Sequence, residues 1–461
     1  MADTRDVDVV VVGAGPAGEV AAGRLADGGL EVTIVEEHLV GGECSFYACI
    51  PSKALLRPAQ ALDEARRVPG AAEASGGGGL QAQPVLRWRD ELVHDLRDDA
   101  QLPWLEEHGV ALVRGHGQLA GERLVRVGDT MLRARRAVIV ATGSRAVIPA
   151  VEGLAAAAPW TSREATTAKY VPRRLVVIGG GVAGVELAQA WQSLGSAVSV
   201  IEPGPRLIAR EEPFAAEELA DALRAGGVDV RLGAKAGRVV RGTDGGVVTV
   251  TLDDGDELTA DELLVAAGRS PNTDAVGLEN VGLAAGEPIG VDDHLRAGVA
   301  GGWLYAVGDC NGLSQLTHAG KYQGRVAADH ILGRPASSLV SGGPLSPRVI
   351  FTEPQIAAVG HTLESAIAAG IEARAVDVDV GATAGSRYVG RGVPGRCRLV
   401  VDEQRRIVAG ATFTGAEVGE FLHAATIAVV AAVPLERLWH AVPSFPTRSE
   451  LWLKLLEAYG L

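Results

Sequence analysis

The sequence predicts an α/β protein with two βαβ units, followed by a C-terminal α+β domain. Three observations carry this. A strand–glycine–helix–strand pattern occurs twice, a Ser/Gly/Pro-rich linker spans Ser337 to Pro347, and the residues beyond it alternate strands and helices with no glycine fingerprint. A length of 461 residues suggests about three domains. The 47% hydrophobic and 22% charged residues are proportions of a globular chain with several cores.

The first copy, residues 7–36, reads VDVVVVGAGPAGEVAAGRLADGGLEVTIVE, and the second, residues 173–202, reads RRLVVIGGGVAGVELAQAWQSLGSAVSVIE. Shifted by 166 positions, Gly13, Gly15, Ala17, Gly18, Ala22, Gly29, Val32 and Glu36 fall on Gly179, Gly181, Ala183, Gly184, Ala188, Gly195, Val198 and Glu202. Each copy is a β-branched run, a glycine turn, an alanine-rich helix and a second apolar strand ending in Glu. Between the copies lie an amphipathic stretch (Lys53 to Val68), a Gly-rich loop (Ala74 to Gly79) and a helix-like segment (Leu86 to His108). Arg136 to Gly143 reads as a buried strand running into a turn, Val265 to Thr273 repeats that shape, and Trp303 to Cys310 is a third strand ending in Gly-Asp.

The glycine spacing has a physical reading. The first glycine makes the tight turn, the second lets the backbone approach a pyrophosphate, and the helix N-terminus supplies partial positive charge. The acidic residue 23 positions on accepts hydrogen bonds from an adenosine ribose. Two dinucleotides are therefore expected. Glu202 favours NAD, because a carboxylate repels the 2′-phosphate of NADP. Arg206, four residues on, works against that preference, so NADP is kept as the alternative.

Composition excludes several classes. Lys plus Arg is 43 against 57 Asp plus Glu, a net charge of −14. A sequence-independent nucleic-acid binder needs a basic face instead. No apolar run approaches the ~18 residues of a membrane span, Ala424 to Val433 being about the longest. Asp3, Asp6 and Asp8 run into a valine block rather than a cleavage site, so no signal peptide is read. Four cysteines are too few for a disulfide scaffold, which points to a reducing, cytoplasmic compartment. Five lysines stand against 38 arginines, which makes each Lys more informative.

Gly41 to Lys53 reads GGECSFYACIPSK. Five residues of regular helix separate Cys44 and Cys49 by about 7.5 Å along the axis, beyond disulfide reach, and a strand separates them further. A bent loop at a helix start would bring them together, and Pro51 suits an opening turn. A helix N-terminus also lowers a thiol pKa. Cys310 and Cys397 read as small buried apolar residues.

Taken in order, these motifs resemble the class I pyridine nucleotide-disulfide oxidoreductases, the flavoprotein family of dihydrolipoamide dehydrogenase, glutathione reductase and mercuric reductase. The resemblance runs over the whole chain. It rests on the fingerprint at Gly13 to Gly18, the Cys-x4-Cys-Ile-Pro-Ser-Lys run, Ala141-Thr142-Gly143 and the second fingerprint from Gly179 to Glu186. It continues through Gly268-Arg269-Ser270-Pro271-Asn272-Thr273, Gly308-Asp309 and Phe351-Thr352-Glu353-Pro354. The resemblance implies FAD on Gly13, Gly15, Pro16, Ala17, Gly18, Glu36, Gly42, Lys53, Thr142, Gly143, Gly308 and Asp309. It implies NAD on Gly179, Gly181, Gly184, Glu202 and Gly268. Cys44 would be the interchange thiol and Cys49 the charge-transfer thiol of a redox-active disulfide. Lys53 and Glu186 would pair beside the flavin and the nicotinamide. The implied fold is two Rossmann-like domains plus a dimerisation domain. FAD would take residues 1–150 and 271–343, NAD(P) 151–270, and the interface of a homodimer 344–461.

One position breaks the pattern. The family's C-terminal His-Pro-Thr-x-x-Glu supplies a proton-shuttling His to the partner's active site, whereas this chain reads Phe445-Pro446-Thr447-Arg448-Ser449-Glu450. Phenylalanine holds no proton, and losing a general base costs typically about 10²–10⁴ in rate. His440 and His318 are the candidate substitutes, both reading more simply as surface or core histidines. Phe46, Tyr47 and Ala48 also make the redox loop bulkier than usual. A C-terminal cysteine pair is missing, which sets mercuric reductase aside. The first functional expectation is therefore an NAD(P)H oxidoreductase passing electrons to a small acceptor, quinone-like or specialised, that needs no such base. A disulfide reductase with a displaced base, such as a dihydrolipoamide dehydrogenase, is the second. A flavoprotein sensing NADH or redox state is the third.

Overall fold

The computed structural model describes residues 3–340 and 342–461; Met1, Ala2 and the linker's Ser341 lie outside them. The chain divides into two compact units. The first gathers Met1–Pro51, Asp90–Ala146 and Arg269–Ser346, and the second gathers Ser52–Arg89, Val147–Gly268 and Pro347–Leu461.

The first unit is built on a seven-stranded sheet. Strand Asp3–Val12 pairs in parallel with Val32–Glu36 on one side and Thr130–Val140 on the other, and Ala111–Arg114 extends the sheet beside Val32–Glu36. The short strand Leu304–Ala306 pairs in parallel with the end of Thr130–Val140. Val9, Val11, Ile34 and Ile139 face one core, while Val10, Val12, Val35 and Val138 face another. Burial on both faces explains why this strand is a valine run rather than an alternation. Helix Pro16–Asp27 crosses from the first strand to the second and packs on helix Thr317–Ile331.

The second unit repeats the parallel motif. Its four-stranded sheet runs Asp229–Leu232, Ala197–Glu202, Arg174–Ile178, Glu262–Val265, with helix Val182–Ser193 as the crossover. Three antiparallel strands, Ala236–Arg241, Val248–Leu252 and Glu257–Ala260, form a separate sheet. A five-stranded antiparallel sheet holds Arg348–Ile350, Gln355–Gly360, Ile407–Gly415, Arg396–Asp402 and Ala373–Asp379.

Three elements differ from the sequence reading. The expected helix over Leu86 to His108 is two helices, Ala82–Leu92 and Leu102–Glu107. His94, Asp95 and Leu96 all take positive φ, which no helix continues through, and Pro103 restarts the second one. The amphipathic stretch begins earlier, as helix Cys49–Arg67, with Pro51 in its first turn where a missing N–H costs nothing. The strand over Trp303 to Cys310 stops at Ala306, because Gly308 at φ +78° turns the chain into a short 3₁₀ segment, Asp309–Asn311.

Candidate active site

The two glycine turns are built alike. Gly13 sits at φ +106° and Gly179 at φ +113°, conformations that side chains avoid. A Cβ on either would lie 2.4 Å from a backbone oxygen, of Ala141 and Ala266 respectively. A Cβ on Gly18 would lie 2.0 Å from the Gly13 oxygen, and one on Gly184 would lie 1.9 Å from that of Gly179. These glycines are explained by the protein itself. Gly15 and Gly181 are not, since a Cβ on either meets nothing within 4 Å. Each opens a helix, Pro16–Asp27 or Val182–Ser193, so the open space lies at a helix N-terminus. That is the cradle an anionic pyrophosphate fits.

Each turn is closed by its glutamate. Glu36 accepts from the Ala14 N–H at 2.7 Å and the His38 N–H at 2.8 Å. Glu202 accepts from the Gly180 and Gly204 N–H groups, both at 2.7 Å. Both carboxylates are thereby fixed at the strand end, where ribose hydroxyls would be met. The Arg206 guanidinium is turned elsewhere, donating to the Ala209 carbonyl at 3.2 Å and lying 3.6 Å from Glu364.

Further residues that the resemblance assigns to FAD lie in the first unit. Gly42 takes φ +60° and stands over Gly15, where a Cβ would come within 2.8 Å of its Cα. The Thr142 hydroxyl donates to the Asn272 carbonyl at 2.7 Å, while the Asn272 amide donates back to the Thr142 carbonyl at 3.0 Å. Gly143 at φ +71° then turns the chain. The Ser144 hydroxyl donates to Asp309 at 2.5 Å and accepts from Arg269 Nε at 2.7 Å. Burial pushes the Asp309 carboxyl up, with Ser144 and Arg269 opposing. Such a side chain is poised to bond ligand hydroxyls. Gly308 donates its N–H to Gln323 at 2.7 Å, which fixes the preceding turn.

The bend needed to join the cysteines is present. Helix Gly42–Phe46 ends at Tyr47, and a new helix starts at Cys49. Cys44 and Cys49 are free thiols within hydrogen-bonding distance of each other. Thr317 Oγ1 lies 3.3 Å from the Cys49 sulfur and also bonds Cys44. The Cys49 sulfur and burial push the Cys44 thiol up, while Thr317 and Lys321 pull it down.

In the second unit, Lys53 Nζ donates to Glu186 at 2.7 Å. Glu186 is 3% exposed and its other oxygen accepts from the Phe351 N–H at 2.9 Å. Lys53 also stands 4.6 Å over the Phe351 ring. Gly268 turns at φ +126° just after strand Glu262–Val265.

The C-terminal loop holds Phe445 outward. Its ring is 75% exposed. Thr447 donates to the Ser444 carbonyl at 2.6 Å, the Tyr388 hydroxyl donates to the Pro446 carbonyl at 3.1 Å, and buried Arg448 donates to the Ala416 carbonyl at 2.5 Å. Glu450 keeps one buried oxygen without a partner among the described residues. His318 and His440 are both exposed, His440 in the turn after helix Leu435–Leu438. Cys310 and Cys397 are fully buried, as expected. Reading the sequence missed Thr317 and Ser144, which lie outside any glycine or cysteine motif, and named Phe351 only as the first residue of a motif, without its contacts to Lys53 and Glu186. Arg269 lay inside a quoted motif, but only the fold shows its bond to Ser144.

Comparison with known proteins agrees with this geometry. A model of the pyridine nucleotide-disulphide oxidoreductases matches residues 7–324, and one of that family's dimerisation domain matches residues 346–455. The dihydrolipoyl dehydrogenase of Haloferax volcanii is 34% identical, over 98% of this chain and 95% of that protein. That of Thermus scotoductus is 32% identical, over 98% and 97%. The crystal structure of LpdA from Mycobacterium tuberculosis matches with a TM-score of 0.87 and 26% identity, over 99% of this chain and 100% of that one. Two glycine turns, a close pair of thiols and matches along nearly the whole length lead to one conclusion: the chain belongs to the pyridine nucleotide-disulphide oxidoreductase family and is an FAD-dependent oxidoreductase that uses NAD(P)H.

Proposed function

We propose that this enzyme takes electrons from NADH and passes them through FAD and the Cys44–Cys49 pair to a small acceptor that needs no histidine from the C-terminal loop. FAD, when bound, supplies the carrier that accepts hydride from a nicotinamide and exchanges electrons with thiols. Residues of the first glycine turn, with Glu36, Thr142, Gly143 and Asp309, would hold it. The second turn and Glu202 would hold NAD, and the diversion of Arg206 supports NAD over NADP.

The observation that carries this reading is the contact between the two thiols, reached by breaking the helix between them. Two structural cysteines need no such bend. Cys44 meets the acceptor and Cys49 resolves the product by reclosing the disulfide. Phe445 then lines the approach for a flat acceptor such as a quinone, with the loop of one subunit of a homodimer presented to the other. A second reading, a disulfide reductase whose base comes from elsewhere, is favoured by the same thiol contact and by the dihydrolipoyl dehydrogenase relatives.

The test is NADH-dependent kcat/KM for lipoamide and for a simple quinone, side by side, with Cys44→Ser as control. We expect faster quinone than lipoamide reduction. Fast lipoamide turnover that Cys44→Ser abolishes selects the second reading. Quinone reduction that Cys44→Ser leaves untouched removes the thiols from the path.

A further inference from the structure

Reduction leaves the Cys44–Cys49 pair with a charge to place. A hydride brings two electrons and one proton, so a disulfide that receives them becomes one thiol and one thiolate. Phe445 holds no proton and offers no base. Within the first unit, a hydroxyl stands at the sulfurs. Thr317 Oγ1 lies 3.3 Å from the Cys49 sulfur and also bonds the Cys44 thiol. Thr317 opens the 15-residue helix Thr317–Ile331, after an extended Leu316. That helix start is closely packed: a Cβ on Gly320 would lie 3.3 Å from the Ala17 Cβ and 3.4 Å from the Gly308 Cα. A hydroxyl has one proton and two lone pairs, so it can donate to one sulfur while accepting from the other.

We propose that the Thr317 hydroxyl makes a histidine base unnecessary: it donates to whichever sulfur carries the charge, so that Cys44 can pass its proton to Cys49 and become the attacking thiolate. One proton moves between the touching sulfurs. Cys44 S–H and Cys49 thiolate become Cys44 thiolate and Cys49 S–H, with net charge unchanged and no electron transferred, while the hydroxyl turns from the second sulfur to the first. The Cys44 thiolate then attacks the acceptor. The acceptor's developing anion takes the proton from Cys49, and Cys49 recloses the disulfide, which leaves the pair's two electrons on the acceptor. The proposal rests on the reading that Cys44 is the thiol that meets the acceptor.

The surroundings favour the hydroxyl. A thiol is a weak donor and sulfur a weak acceptor, so each cysteine supports its neighbour's charge poorly. A hydrogen bond from a hydroxyl to an anion is among the stronger kinds. Glu43, beside Cys44 on helix Gly42–Phe46, faces Arg269 at 3.8 Å. Tyr47 sets its ring 6.4 Å from that of Phe46, and Lys53, one turn beyond Cys49, donates to Glu186. Next to Thr317, His318 is exposed. Lys321, one turn further on, favours the charged form of Cys44 and so works with the hydroxyl. On helix Pro16–Asp27, packed alongside, Glu19 is coupled to Lys321 and Arg24 binds Asp329 at 2.7 Å.

The test follows Cys44 alkylation by iodoacetamide in the FAD-loaded protein reduced with NADH. The modified residue is assigned by mass spectrometry from about pH 5 to about pH 10. Iodoacetamide takes the thiolate, so the pH of half-maximal rate reports how well that thiolate is stabilised. Thr317→Val keeps the shape of the side chain and removes the donor. It should slow Cys44 alkylation at neutral pH by about 10- to 100-fold and move the profile up by about one to two pH units, the scale of a hydrogen bond to a charged group. Thr317→Ser keeps the hydroxyl and should follow the wild type within about twofold. Flavin absorbance checks that each variant is folded, with Thr317→Ala in reserve should Thr317→Val lose it. An unchanged profile without the hydroxyl overturns the proposal. So does a Thr317→Ser profile displaced as far as that of Thr317→Val, which assigns the effect to packing, or a displacement found in His318→Gln instead. If iodoacetamide modifies Cys49 and never Cys44, the underlying reading of Cys44 fails and takes the proposal with it, an outcome distinct from failure of Thr317 alone.

Discussion

The helices after the two glycine turns, Pro16–Asp27 and Val182–Ser193, open on equivalent glycines but set their first carboxylate one position apart. Under the 166-residue shift Glu19 falls on Val185, and Val20 falls on Glu186. The acidic side chain is one position out of step, about 100° around the helix. In the first helix Glu19 is half-buried, and Lys321 favours its charged form. In the second it buries Glu186 against Lys53 and Phe351, while Val185 joins the core. Two of the chain's five lysines thus serve these two carboxylates. A duplicated scaffold keeps its backbone and gains different chemistry from single residues beside the turn.

The largest difference should appear in the lysines. Glu186 is nearly fully buried, so Lys53→Met strands a carboxylate with only the Phe351 N–H. We expect a loss of about 3–5 kcal/mol, the usual cost of breaking a buried pair. Lys321 is exposed. Lys321→Met should stay within about 0.5 kcal/mol, as surface changes do. Chemical denaturation of the two variants decides this, and equal losses would erase the distinction between the helices.

The glycines should separate the two cofactors at a smaller cost. Alanine at Gly18 or Gly184 drives a Cβ into the oxygen of its own turn, an overpacking worth about 1–3 kcal/mol. Gly18→Ala should purify with less flavin absorbance. Gly184→Ala should remain yellow and show a raised KM for NADH. Flavin loss from Gly184→Ala would reverse the assignment of the turns.

How much of this was legible in the sequence follows from what is local. The glycine turns and their glutamates are set by contacts within about thirty residues, so spacing revealed them. The cysteines were legible as a motif, but their contact depends on a break at Tyr47 and Ala48 that the residues alone left open. The Lys53–Glu186 pairing came only through family resemblance, because 133 residues separate the partners. The electrostatic link between Lys321 and Glu19 was invisible for the same reason, since the two residues lie far apart in the chain. The helix break at His94–Leu96 also escaped, since none of those three residues is Gly or Pro.

The smallest effect concerns stability and pH, and its sign is unusual for a carboxylate. Glu19 holds its proton up to about 7, above its ordinary value of 4.5. Between those values the unfolded chain has released this proton and the folded chain still binds it. Stability therefore falls as pH rises through the window, the reverse of a salt-bridged Asp or Glu. Burial is the leading cause, so Glu19→Gln, which never ionises, escapes the loss. Between about pH 5 and about pH 8 the variant should gain on the order of 1 kcal/mol relative to wild type, after allowing for solvent screening of a half-buried side chain. Val185 in the second helix does not titrate, so Val185→Ala should lower stability by the same amount at both pH values. Parallel denaturation curves of the three proteins at the two pH values measure this. A Glu19→Gln difference that does not change with pH would mean that the carboxyl ionises normally, and the two helices would then differ in packing alone.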